Sequence, residues 1–409
     1  MKNGYGNFGK FMLLWAGEFV SSIGGGLTSF GLGVYVFTQT GSAAYMSLIT
    51  LLGFLPTFFL SVPAGVLADR FDRRVLMMIG DGCSALGILF ILFCMRDGDA
   101  AIWQICVGVF VSAVFSALLE PAYRATITDL LNKEEFSKAS GLVSIAGSSR
   151  YLISPMIAGF LLSVSDVRLL MWIDVSTFVL TVVSTAVVKK GLGTKEREDA
   201  GSFFNSFKEG WQAIKTRHGI FILILVSSLI TMATGIFQIL AEPIVLSFSD
   251  AKTLGIVETI AASGMLISSI YLGARGIKNH FVSVLCTSLI IAGVFIFGFG
   301  LKENVVFMTV TCFGFFICLP FANNCLDYLV RTNIPENLQG RVWGFIGFIS
   351  QIGYLIAFVS SGLLSDFLGK SLGIGVGRGA ALVVCASGVI LIIVSVILSQ
   401  IRSVRALEN

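Results

Sequence analysis

Gly65-Val66-Leu67-Ala68-Asp69-Arg70-Phe71-Asp72-Arg73-Arg74 sets five charged side chains between two long apolar runs. The run before it, roughly Ala43 to Val66, and the run after it, roughly Val75 to Met95, are each long enough to cross a bilayer. A short loop with several arginines between two spans stays on the cytoplasmic side, so this segment sets the topology of the chain.

Composition agrees. The 409 residues are 55% hydrophobic and 13% charged, with a mean hydropathy of +0.89. A soluble protein carries about 25% charged residues, so the chain reads as a polytopic membrane protein. Its net charge of +4 is small and its basic residues lie in loops between spans, which excludes nucleic-acid binding. The first apolar stretch follows Lys2 and Lys10 and contains Glu18, and it is too long for a signal peptide, so it reads as a retained span.

The eight cysteines lie within apolar runs without a close Cys-x-x-Cys pair, and the two histidines, His218 and His280, sit beside loops. Neither a metal site, a disulfide framework nor a cofactor is expected. An enzyme is disfavoured because the chain offers no nucleophile–base pair. An ATP-driven pump is disfavoured because Gly-x-x-x-x-Gly-Lys-Ser/Thr does not occur.

Windows of about 20 apolar residues place spans near 11–37, 43–67, 74–95, 100–122, 137–165 and 168–188, then near 218–247, 252–275, 281–300, 303–330, 338–366 and 378–401. With both termini in the cytoplasm, lysine and arginine favour the inner loops by roughly three to one. A missed span would scramble that alternation. The fold class is therefore an all-α membrane protein of twelve transmembrane helices in two pseudo-symmetric six-helix bundles. Residues 1–188 form the first bundle and 218–409 the second. Residues 189–217 are a cytoplasmic linker whose stretch Phe203 to Trp211 reads as an interfacial helix.

The halves repeat. Aligning Gly141 with Gly344 brings Lys138 onto Arg341, and Gly159-Phe160-Leu161-Leu162 onto Gly362-Leu363-Leu364-Ser365. At nearly the same offset Leu67-Ala68-Asp69-Arg70 lies over Leu272-Gly273-Ala274-Arg275, a second copy without the aspartate. Parallel six-span repeats are one way that secondary transporters are built.

Ionisable residues inside spans are costly, so each points to a cavity or a partner. Glu18 lies about two turns into the first span, Arg150 near the middle of the fifth, Asp174 in the outer part of the sixth and Glu258 in the eighth. Arg150 needs an acidic neighbour or an aqueous path, and depth places Glu18 below it and Asp174 above it. A carboxylate buried in a span can load and release protons near neutral pH. Asp81, Glu120 and Asp327 read as structural groups near the inner face, and Glu242 beside Pro243 as a gate or a cap. Gly24-Gly25-Gly26 interrupts the first span at mid-depth and is the candidate flexing point.

The charged loop, with Gly65 opening the pattern Gly-x-Leu-Ala-Asp-Arg-x-x-Arg-Arg, resembles the loop between the second and third helices of the major facilitator superfamily. Leu14-Trp15-Ala16-Gly17-Glu18, Gly53-Phe54-Leu55-Pro56, Ile153-Ser154-Pro155, Ile173-Asp174-Val175 and Gly340-Arg341-Val342 are similar to its macrolide-efflux branch, the third group of drug:proton antiporters. The branch often has Gln where this chain has Glu18. Gly is usual where this chain has Asp72.

The resemblance implies that Asp69 faces the start of the eleventh span near Gly340 and Arg341, with Arg73 or Arg74 meeting Glu120 at the end of the fourth. Together with Arg70 these groups would form a gating latch. It also implies export of amphipathic small molecules by alternating access, driven by protons, from a monomer in the bacterial cytoplasmic membrane. Two alternatives stay open: a permease or exporter for a defined metabolite or siderophore, and a non-transporting scaffold or sensor.

Overall fold

The computed structural model describes residues 4–132, 135–189, 218–334 and 336–408. It holds twelve helices long and apolar enough to cross a membrane, and no strand occurs among the described residues. They begin and end close to the apolar windows. The largest excess is in the fourth span, Ile102–Leu130, which outruns its window by two polar helical turns. Hydropathy marks only the part of a helix that lipid surrounds, whereas the hydrogen-bond ladder continues beyond it. The interfacial helix expected between 203 and 211 lies outside the described residues.

Proline places the breaks. The fourth span is two helices, Ile102–Ser116 and Leu119–Leu130. The step between them falls where Pro121 lacks the N–H that would bond to the Ala117 carbonyl. The fifth span is likewise Phe136–Leu152 and Ser154–Val164, parted at Ile153 two residues before Pro155. Helix starts are capped by side chains. Asp72 accepts from the Arg74 amide at 3.0 Å, and Asn304 from that of Phe307 at 2.9 Å. Asp250 accepts from the Thr253 amide at 2.8 Å, and its hydrogen bonds with Thr253 hold its carboxyl below the usual aspartate range. The Asp72 departure from the family pattern is thus the N-cap of the third span.

The chain divides into two compact units, Met1–Gln39 with Leu48–Ala200, and Thr40–Ser47 with Gly201–Asn409. Lipid tails are as apolar as leucine, so close packing and polar contacts, rather than water exclusion, hold such helices together. In the N-terminal unit the third span packs on the fourth and the sixth. An added Cβ at Gly108 would lie 2.7 Å from the Gly87 carbonyl, and the Ser84 hydroxyl lies 2.7 Å from Ser112 Oγ and 2.9 Å from Ser116 Oγ.

In the C-terminal unit the seventh span packs on the eleventh and twelfth, and the tenth on the eighth and ninth. Phe237 meets Phe299 edge-on at 4.8 Å between ring centres. This unit takes in Thr40–Ser47 because Asp366 receives the Ser42 hydroxyl and the amides of Ala43 and Ala44. The end of the chain folds back on the same unit. Glu408 accepts from the Val282 amide at 2.9 Å, and the Asn333 side chain donates to the Leu407 carbonyl at 2.9 Å.

Candidate functional site

The N-terminal unit gathers its buried carboxyls around the first span. Asp174 is 2% exposed, its Oδ1 is shielded from solvent, and the Thr28 side chain stands beside its carboxyl. It lies directly against the first span. An added Cβ at Gly24 would lie 2.9 Å from Asp174 Oδ1 and 2.5 Å from Thr177 Oγ1. Only glycine lets the backbone come so near a carboxylate. The charge of Arg150 acts on Asp174, and Arg150 itself is exposed on the helix before the Ile153 break. Gly26 abuts Ser154 just past that break, and Ser154 Oγ donates to the Ile23 carbonyl at 3.0 Å.

Glu18 stands on the same helix, six residues before Gly24, and its Oε2 is shielded and unpartnered among the described residues. Trp15, one turn earlier, fixes this part of the span by donating to the Leu142 carbonyl at 2.6 Å. Asp81 is 2% exposed on the third span, within electrostatic range of both Glu18 and Asp174. Glu120 also acts on Glu18. The expected pairing therefore divides. The charge of Arg150 reaches Asp174, while the charged neighbours of Glu18 include Asp81 and Glu120. Asp81 joins the cluster, although its place near one end of a span reads as structural in sequence.

Glu258 belongs to the C-terminal unit. Its charge acts on Glu242 of the seventh span, and Glu242 Oε2 is shielded and unpartnered among the described residues. Glu242 was legible only as a gate or cap, because its neighbour is 16 residues away in sequence on another helix.

Around the charged loop, Arg73 is 7% exposed. Its Nε donates to the Ala68 carbonyl at 3.0 Å, and its Nη1 to the Ala125 carbonyl and Asp129 Oδ2, both at 2.8 Å. Its carboxylate partner is thus Asp129, which lies beyond the apolar window ending near residue 122 and so gives no signal in hydropathy. Glu120 instead pairs with Arg124 at 2.8 Å on an exposed helix face. Arg70 is exposed, and Gly65 has open space beside it. The side chains of Asp69, Gly340 and Arg341 lie outside the described residues.

Gly24, Gly25 and Gly26 all lie within one unbroken helix, Gly4–Thr40. Gly24 and Gly26 are close-approach sites, while nothing lies within 4 Å of an added Cβ at Gly25.

The chain is similar over most of its length to known membrane proteins. It is 27% identical over 404 residues to "Macrolide efflux protein A" of Streptococcus pyogenes, covering 98% of this chain and 97% of that one. It is 23% identical to "Enterobactin exporter EntS" of Salmonella typhimurium, covering 82% and 80%. Its fold is similar to that of a bacterial homologue of the iron transporter ferroportin in an inward-facing state, with a TM-score of 0.74 at 16% identity, covering 96% of this chain and 99% of that one. The family model described as Major Facilitator Superfamily matches residues 14–358. Twelve apolar helices among the described residues suit a family of transporters, and the chain is a multi-pass membrane transporter that belongs to the Major Facilitator Superfamily.

Proposed function

We propose that this transporter exports amphipathic compounds in exchange for protons, by alternating access, as a monomer with the Arg70–Arg74 loop in the cytoplasm. One observation carries the reading: Glu18, Asp81 and Asp174 are gathered in one unit as shielded carboxyls, and Glu18 Oε2 and Asp81 Oδ2 have no hydrogen-bond partner among the described residues. A charged carboxylate held that way in a membrane costs several kcal/mol. Protonation removes the cost, and access to water restores the charge. A cluster that alternates between these conditions can bind a proton on one side and release it on the other.

Arg150, at the edge of the cluster, supplies a positive charge that competes with the proton for Asp174. In the C-terminal unit, Glu242 and Glu258 are a second pair able to hold a proton. Asp69 with Gly340 and Arg341 is the proposed gate, and Arg73, held by Asp129, braces the loop that carries it. Gly25, free of close neighbours, is the proposed flexing point of the first span. The substrate class follows the similarity to "Macrolide efflux protein A". Similarity to an enterobactin exporter supports the second reading, an exporter of a siderophore or other defined metabolite.

The test is drug susceptibility in an efflux-deficient bacterium expressing wild type, Asp69→Asn or Glu18→Gln. Wild type is expected to raise resistance to several amphipathic drugs, Asp69→Asn to lose it, and a proton uncoupler to abolish it. Unchanged susceptibility to every drug, with the protein present in the membrane, would sink drug export and favour the metabolite reading. Full activity in Glu18→Gln would move the coupling to Asp174 or the glutamate pair.

A further inference from the structure

A cavity of about 90 Å³ opens inside the C-terminal unit where the seventh, tenth and eleventh spans meet. Its lining is mixed: Leu223 and Ile346 are apolar, and Ser227, Asn323, Asp327 and Trp343 each bring a polar group. Asn323 and Asp327 are four residues apart on the tenth span and therefore share one helix face. Both are exposed rather than packed. Ser227 is tied in place, its Oγ lying 2.7 Å from Ser350 Oγ.

The cavity also shows what kind of group it accepts. Arg331, one further turn along the tenth span, holds its guanidinium carbon 6.0 Å from the centre of the Trp343 ring, and its charge acts on Asp327. A cation of the chain itself therefore already lies near the indole and within electrostatic range of the carboxylate. Indole faces attract cations through their quadrupole, and a carboxylate adds a charge-assisted bond. A cavity well below the 300–1,000 Å³ of drug-sized sites takes a headgroup and leaves the remainder of the molecule outside.

We propose that this cavity is a subsite for the ammonium headgroup of a cationic amphiphile. In it Asp327 supplies the charge, Trp343 the cation-attracting face, and Asn323 a carbonyl acceptor for any N–H of the amine. Arg331 is displaced from the indole when the headgroup enters. The proposal rests on the export reading for its physiological meaning and names the substrate class of that reading. Asp327 lies within two turns of the Asn333 end of its helix, the cytoplasmic end in the proposed topology, where an exported cation would arrive.

The test is equilibrium dialysis of the purified full chain in detergent, with a detergent-only blank. The probes are benzyltrimethylammonium and its uncharged isostere neopentylbenzene. Asp327→Asn is expected to weaken the cation by about tenfold while leaving the isostere within about twofold, the difference an ion pair at a partly shielded site makes. Asp327→Glu should recover much of the cation affinity, and Arg331→Ala should strengthen it by removing the competitor.

Unchanged cation affinity in monodisperse Asp327→Asn overturns the proposal. Equal weakening of both probes, the mark of a structural effect, overturns it too, as does a wild type that binds neither. The export reading fails separately. If wild type binds the cation through Asp327 yet confers no resistance, the subsite stands and export falls. If Asp327→Asn still confers resistance to cationic amphiphiles, export stands and the subsite falls.

Discussion

Arg73 and Glu120 illustrate what a single residue's surroundings decide. Both carry charge near the same end of the N-terminal unit, and the resemblance offers Glu120 either Arg73 or Arg74 as a partner. In the structure Arg73 is buried and donates to two carbonyls and Asp129, while Glu120 pairs with Arg124 on an exposed face. Breaking a buried ion pair strands a charge and typically costs 3–5 kcal/mol. Asp129 is 26% exposed, so Arg73→Ala is expected to cost about 2 kcal/mol, below that range. Glu120→Gln removes an exposed helix pair worth about 0.3–0.5 kcal/mol. Thermal unfolding of the purified protein should show a clear loss for the first and almost none for the second, and the reverse order would refute the assigned partners. Asp129 was not legible because its role depends on a helix that continues past its apolar stretch.

At the scale of an element, the first span shows that a run of glycines holds different residues for different reasons. The helix is continuous from Gly4 to Thr40, yet a methyl group at Gly24 would press into Asp174 and Thr177, and one at Gly25 would meet nothing within 4 Å. Gly24→Ala is therefore expected to destabilise by about 1–3 kcal/mol through overpacking. Gly25→Ala should be neutral or stabilise by up to about 1 kcal/mol, the helix-propensity difference. Thermal stability and drug transport should be measured together. If Gly25→Ala keeps its stability but loses transport, the flexing role at that position is supported; full transport would remove it. Sequence pointed to the triplet, but three identical residues carry no mark of which one touches a neighbour. The proline steps at Ala117 and Ile153 have a local cause, because a missing N–H acts on its own helix whatever surrounds it.

At the scale of the whole molecule, the acids fall into two sets, Glu18, Asp81 and Asp174 in one unit, Glu242 and Glu258 in the other. If the first set couples transport to protons, fixing Asp174 in an uncharged form should stop proton-driven accumulation while leaving substrate exchange intact. In proteoliposomes, Asp174→Asn is expected to lose at least about 90% of uptake driven by a pH gradient, a tenfold change equal to about 1.4 kcal/mol. It should retain counterflow of labelled substrate. Retention of both activities would take Asp174 out of the coupling site, and loss of both would make it a binding or folding residue.

Sequence alone determined the membrane class, the twelve spans, the repeat of the halves and the short list of costly charges. Each of these is local or periodic: hydropathy sums over neighbours, loop charge counts along the chain, and a charged residue in an apolar run is conspicuous wherever it folds. Tertiary structure alone decided the partners. It gave Arg73 to Asp129, brought Asp81 within electrostatic range of Glu18 and Asp174, coupled Glu242 to Glu258, and made one cavity from Ser227, Asn323, Asp327 and Trp343. Helices pack through side chains that come together from distant parts of the chain, and the rotation of each helix about its axis selects which of its residues meet. Hydropathy along one span leaves that rotation open, and close packing against the neighbouring spans sets it.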